Sequence, residues 1–164
     1  MMNRADTEKE FEEAIGQYGG VITKICYYFA SDSNEFQDLR QEVFYNLWRG
    51  WEDFRKDAKL STWIYRVSFN TCVSYYRKER KSGPNVSIEE IINIPVEQEA
   101  TKLERYREMH SLIRQLSYED RAIILMWLDE KSYDEISELM GMKRNTLAVR
   151  LKRIKEKLIK LSQK

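Results

Sequence analysis

Apolar positions three and four residues apart run through most of this chain, with polar residues filling the intervals between them. The most regular stretch comes last. Leu147, Leu151, Ile154, Leu158 and Leu161 follow spacings of four, three, four and three, which predicts a helix with one buried stripe. Just before it, Ile136, Leu139 and Met140 mark a shorter helix, opened by Ser132 with Glu135 three residues on, the capping-box arrangement. Gly141 stands between the two. Glycine ends a helix in the left-handed conformation at least steric cost, and Met142 supplies the apolar plug of the turn. Two short helices around a Gly turn predict a helix-turn-helix, whose second member lies in the DNA major groove.

The same periodicity predicts helices upstream. Phe11, Ala14, Ile15, Tyr18, Ile22, Ile25, Cys26 and Phe29 fall at helical spacing, with Gly19-Gly20 placed to bend or split the element. Ser31 to Asn34 is a turn, and Asp32 with Glu35 predicts a second capping box. The helix it opens, over 35–54, carries Phe36, Leu39, Val43, Leu47 and Trp51 inside, and Asp38, Gln41, Glu42, Tyr45 and Arg49 outside. After a loop-like FRKDAKL from Phe54, Ser61 caps a third helix with Ile64, Val67, Thr71 and Cys72 on its buried side. Trp63, Arg66, Asn70 and Arg77 share another face of that helix. An indole, two guanidiniums and an amide make a poor core and a good platform for an unstacked base. Lys78, Arg80 and Lys81 extend this cationic strip.

At Ser82-Gly83-Pro84-Asn85 the pattern breaks, and the acid-rich residues 82–102, with Pro95, read as a linker holding at most a short turn at Ile88 to Ile91. Leu103, Tyr106, Met109, Ile113 and Leu116 resume the helical pattern. Ser117 caps the next helix, whose Ile123, Ile124, Met126, Trp127 and Leu128 should form a core. The expected architecture is all-α: an N-terminal domain over 1–81, a flexible linker over 82–102, and a C-terminal helix-turn-helix domain over 103–164. No internal repeat and no sustained heptad pattern interrupts it.

Charge sharpens the picture. The formal net charge is only +1, yet the cations are sorted. From Gly141 onward Lys143, Arg144, Arg150, Lys152, Arg153, Lys155, Lys157, Lys160 and Lys164 face Glu156 alone, whereas Glu119 to Met140 is predominantly acidic. A local basic face is what phosphates meet. Lys143 sits where a helix N-cap prefers Ser or Asp, a conflict with the helix dipole that a bound phosphate would remove.

Composition excludes much else. Charged residues make up 34% of the 164 residues, with two Pro and six Gly, as expected of a soluble helical protein. The longest apolar run, Ala122 to Leu128, is too short to span a bilayer, and the acidic N-terminus lacks a secretory core. Cys26 and Cys72 lack any partner spacing and read as reduced thiols of a cytoplasmic protein. His110 is the only histidine, which argues against structural zinc or a histidine-based catalytic set, and no carboxylate is paired for acid–base work. No enzyme, metal, cofactor or small-molecule substrate is expected.

The order of these pieces resembles a bacterial RNA polymerase sigma factor of the small extracytoplasmic-function (ECF) group. DLRQEVFYNLW at Asp38 to Trp48 is similar to that family's polymerase-binding helix, and STWIYRVSFN at Ser61 to Asn70 to its segment that melts and reads the −10 element. Leu116 to Leu158 is similar to its C-terminal domain, which reads the −35 element. The resemblance implies that Asp38, Gln41 and Glu42 contact the clamp helices of the largest subunit of core RNA polymerase. It implies that Trp63, Arg66 and Asn70, with Arg77, hold the melted −10 strand, Asn70 capturing an extruded base. Extrusion costs a few kcal/mol that a stacking pocket must offset. Housekeeping relatives carry two adjacent tryptophans here; Trp63 followed by Ile64 implies weaker melting. At the −35 element the implied contacts are Lys143, Arg144, Asn145, Thr146, Val149, Lys152 and Arg153, with Arg150 and Lys155 on phosphates. Val149 replaces a frequent Ser and could meet a thymine methyl. Promoter DNA and an anti-sigma factor are the remaining implied partners.

Two rivals weigh less. A LuxR-type repressor or activator has a similar C-terminal domain but leaves the acidic Asp38 face and the Trp63–Asn70 face without a task. A helical adaptor binding only protein leaves the basic helix unexplained.

Overall fold

The computed structural model describes residues 3–54, 59–79 and 100–163, and these contain helices and connections with no strand. Eight helices occur among the described residues. They are α1 (Arg4–Gly16), α2 (Gly19–Phe29), α3 (Ser33–Gly50), α4 (Leu60–Glu79), α5 (Ala100–Ile113), α6 (Tyr118–Leu128), α7 (Tyr133–Met140) and α8 (Arg144–Ser162). The expected linker falls almost wholly outside the described residues, as does most of the FRKDAKL loop.

Local chemistry accounts for the ends of most helices. Asn3 caps α1 by accepting from the Asp6 amide at 2.8 Å. The first apolar run does split, but at Gln17 and Tyr18, Tyr18 in non-helical geometry, while Gly19 and Gly20 are the first residues of α2. The Asp32 side chain accepts from the Glu35 amide at 2.8 Å as expected. The return half of that box differs. The Glu35 carboxylate accepts from the Ser31 amide and the Tyr76 hydroxyl, because α4 lies close enough to claim it. α4 starts at Leu60, so Ser61 lies inside the helix instead of capping it. Ser117 caps α6 through the Asp120 amide at 3.2 Å.

The N-terminal half packs α2, α3 and α4 around Ile22, Cys26, Phe29, Leu39, Val43, Leu47, Ile64 and Cys72, all fully buried. An Asn46 amide to the Thr71 hydroxyl at 3.0 Å ties α3 to α4. Burial, with Cys26 as neighbour, pushes the Cys72 thiol up, and both cysteines are buried packing groups. In the C-terminal half Ile136, Leu147, Leu151 and Ile154 seat α7 and α8 on Ile123 and Ile124 of α6.

The two halves share a seam, and this was not foreseen. His110 donates from Nε2 to the Tyr27 carbonyl at 3.0 Å and lies against the Tyr27 ring with centroids 4.2 Å apart. Arg114 donates to the Ala30 carbonyl at 2.7 Å and the Ser31 hydroxyl at 3.0 Å, closing the C-terminal end of α2 where the helix dipole is negative. Tyr118 stacks on Tyr76 at 4.8 Å. Arg121, only 6% exposed, bonds the Leu116 and Arg114 carbonyls, and burial lowers its pKa to about 10 while the nearby Glu35 carboxylate works against that fall.

Candidate nucleic-acid interface

The helix-turn-helix is built as its sequence dictates. The Ser132 hydroxyl accepts from the Glu135 amide at 3.1 Å, and Glu135 returns to the Ser132 amide at 3.4 Å. Gly141 takes φ +67°, and the Met142 amide reaches back to the Ser137 carbonyl at 3.0 Å, a Schellman-type closure. α8 then begins at Arg144 with Lys143 as an N-cap that makes no side-chain bond, leaving the first-turn amides open to an anion.

With Leu147, Leu151 and Ile154 buried, the opposite face of α8 presents Lys143, Asn145, Thr146, Val149, Lys152 and Arg153 to solvent, Val149 being 52% exposed. Beside it runs a groove of about 660 Å³ lined by Asn145, Thr146, Val149, Arg150, Arg153, Lys157 and, from α6, Asp120. Two of the cations are engaged within the domain. Arg150 donates from Nε to Asp120 at 2.7 Å and is half-buried, so it braces α8 against α6 rather than standing free for a phosphate. Lys155 lies with Nζ 3.9 Å above the Trp127 ring and is likewise turned inward. Arg144 remains exposed but leans toward Asp134 at 3.6 Å.

On α4, Arg66, Asn70 and Arg77 are exposed along one face. Trp63 departs from the expected open platform. It is half-buried and stacks on Phe54 with centroids 4.8 Å apart, with Trp51 at 6.0 Å. A Cβ at Gly50 would stand 3.2 Å from its Cζ2, so a side chain there would require the indole to give by a few tenths of an ångström. One ring face is thereby taken by the chain itself.

The exposed α4 face looks across a pocket of about 210 Å³ at the C-terminal half. Tyr65, Arg66, Phe69, Asn70 and Arg77 line one side, and Glu119, Ala122, Met126, Leu139 and Met140 the other. Arg77 donates to Glu119 at 2.7 Å, and this bond holds the Glu119 carboxyl below the usual carboxylate range despite partial burial. Arg66 pairs more loosely with Glu138 at 3.9 Å, and Lys131 lies 4.4 Å over the Tyr65 ring. Nothing local in the sequence marked Glu119, Asp120 or Glu138 as partners of these arginines.

The acidic face stands apart from both. Asp38, Gln41 and Glu42 are exposed on α3 directly opposite its buried stripe, continued by Tyr45, 55% exposed, with Arg49 5.5 Å above its ring. Among the described residues no three His, Cys, Asp or Glu side chains come together to hold a metal, and no helix is long and apolar enough to cross a membrane.

Comparison with known proteins agrees with this geometry. The family model for sigma-70 region 2 matches residues 14–82, and that for sigma-70 region 4 matches residues 106–158. The ECF RNA polymerase sigma-E factor of Haemophilus influenzae is 28% identical over 91% of this chain and 85% of its own length. The ECF RNA polymerase sigma factor SigW of Bacillus subtilis is 24% identical over 92% of this chain and 87% of its own. Among solved structures, the sigma factor RpoE of Bartonella quintana, in complex with the anti-sigma factor NepR, superimposes with TM-score 0.75 at 18% identity, covering 94% of this chain and 98% of that one. CnrH in complex with the cytosolic domain of CnrY gives 0.69 at 20% identity, covering 95% and 89%. With both signature regions present in order on an all-helical chain, the protein belongs to the sigma-70 family of RNA polymerase sigma factors, in its extracytoplasmic-function group, whose members direct promoter-specific transcription initiation.

Proposed function

We propose the following division of labour. The N-terminal domain, through residue 81, grips the clamp helices of core RNA polymerase with Asp38, Gln41 and Glu42. It holds the melted −10 strand with Arg66, Asn70 and Arg77, Trp63 closing the end of that face. The C-terminal domain, from residue 103, reads the −35 element with Asn145, Thr146, Val149, Lys152 and Arg153. Lys143 and Arg144 meet phosphate at the start of α8, and Arg150 sets the helix in place. The chain contributes no catalytic group; polymerase supplies the chemistry of RNA synthesis. The observation that carries this reading is the separation of an exposed acidic face on α3 from exposed basic faces on α4 and α8. One sign suits a protein partner and the other suits phosphate. The sigma factor RpoE solved in complex with the anti-sigma factor NepR supports an anti-sigma partner for this chain.

In vitro transcription with core enzyme on a randomised promoter library tests the whole reading. The expected result is enrichment of two spaced elements, with transcription lost for Asp38→Arg/Glu42→Arg because core enzyme is no longer retained. Transcription that does not depend on this protein, or a double variant that still pulls down core enzyme, would refute it.

A further inference from the structure

The groove beside the exposed face of α8 contains a carboxylate. Asp120 lines it from α6, together with Asn145, Val149 and Arg153 of α8. Local chemistry holds the acid there. Asp120 lies in the first turn of α6, its amide bonded to the Ser117 hydroxyl at 3.2 Å, where the positive end of the helix dipole favours an anion. Its Oδ1 accepts from Arg150 Nε at 2.7 Å, and both side chains are largely withdrawn from water. A short, shielded, charge-assisted bond of this kind persists where an open pair is screened away. The Arg144–Asp134 pair at the start of α8 is of the open sort, 3.6 Å long with both side chains mostly exposed. Arg153 and Lys157, in the same groove as Asp120, are exposed.

We infer that Asp120 is a specificity-determining residue for the −35 element: by capturing Arg150 it keeps one cation of α8 off the DNA backbone and fixes the rotation at which α8 meets base edges. This rests on reading α8 as the −35 helix. A phosphate contact adds the same affinity for every sequence. With Arg150 held on α6, the helix forgoes one such contact, and the base-edge contacts of Asn145, Val149 and Arg153 carry a larger share of binding. The tether also sets geometry. Arg150 follows Val149 directly and stands one turn before Arg153, so fixing it to α6 holds both neighbours at a single angle about the helix axis. Asp120 thus lowers non-specific affinity and sharpens discrimination without touching a base.

The test uses the full-length chain. Affinity for a fluorescein-labelled duplex of mixed sequence is read by anisotropy over a potassium chloride series. Preference is read by selection from a randomised duplex pool and sequencing. Asp120→Ala frees Arg150 for phosphate. It should bind the mixed duplex about threefold tighter at low salt, with a log–log salt slope steeper by about 0.9, and should select a broader set of sequences. Asp120→Asn, which keeps the shape but loses the charge, should move both readouts the same way, and serves if the alanine variant does not fold. Asp120→Glu should behave as wild type, and Asp120→Ala/Arg150→Ala should return the slope to the wild-type value. Glu156→Ala removes the same charge from an exposed position of α8 without touching Arg150, and should leave selection unchanged. The proposal is overturned if Asp120→Ala binds more weakly with an unchanged slope, as loss of a mere brace would give. It is equally overturned if the double variant keeps the steeper slope, or if Glu156→Ala broadens selection as much. A wild-type chain that enriches no sequence refutes the reading of α8 and the role of Asp120 together; sharp wild-type enrichment that Asp120→Ala leaves intact refutes the role of Asp120 alone.

Discussion

His110 offers the sharpest quantitative test of the seam. The imidazole is 3% exposed, lies against Tyr27, and donates its Nε2 proton to the Tyr27 carbonyl. Burial, reinforced by the Arg114 and Arg121 guanidiniums, lowers its pKa from the ordinary 6.5 to about 4, with the carbonyl bond working weakly the other way. The native state thus keeps this histidine neutral where the unfolded chain takes up a proton. Stability is fully present above pH 6.5 and falls as the pH drops from there toward 4. Integrated from neutrality to about pH 5, the loss is about 2 kcal/mol, and the limiting slope is about 1.4 kcal/mol per pH unit. For a chain of this size that lowers Tm by roughly 4–8 °C. Carboxylates whose pKa the fold depresses, such as Glu119, lose their contribution only at lower pH, so this window isolates the histidine. Urea unfolding of the wild type and of His110→Gln at several pH values in this range is the assay. The variant should be less stable at neutral pH yet lack about one proton of the pH dependence. Parallel slopes for the two proteins, or an imidazole seen by NMR to titrate near its ordinary value, would refute the account.

Three further outcomes are expected. Gly141→Ala places a Cβ at φ +67° and should destabilise the helix-turn-helix by about 1 kcal/mol, read from thermal unfolding, with open space around the site ruling out a clash. Asn70→Ala should impair open-complex formation on a promoter while leaving retention of core polymerase unchanged; equal capture of single-stranded −10 DNA would count against its role. Arg153→Ala should weaken −35 binding by roughly 1–3 kcal/mol and relax preference at one position if it meets a base edge, whereas an unchanged preference with a shallower salt slope would place it on phosphate.

Much of the local architecture could be read in advance because its causes are local. The Ser132–Glu135 box, the left-handed Gly141 and the apolar stripe of α8 each depend on residues within a turn or two of one another. The same holds for the outward face of α3, since burying Phe36, Leu39, Val43 and Leu47 leaves Asp38, Gln41 and Glu42 on the far side. Local pattern does not place the side chains whose partner lies far away in sequence. No spacing reveals that Asp120, thirty residues earlier, pairs with Arg150. Nor does any spacing show that Phe54, from beyond a polar loop, stacks on Trp63. Glu35 was expected to finish a capping box, and the Tyr76 hydroxyl of another helix took it instead.

The amino-acid order alone determined which segments are helices, which face of each is apolar, and where cations and acids are concentrated, because periodicity and capping act over a few residues. Tertiary structure alone decided which charges remain available. A guanidinium seeks the nearest carboxylate in space, so the packing of the two halves chose Glu119 and Glu138 for the arginines of α4 and Asp120 for Arg150, and set His110 beneath the seam between them.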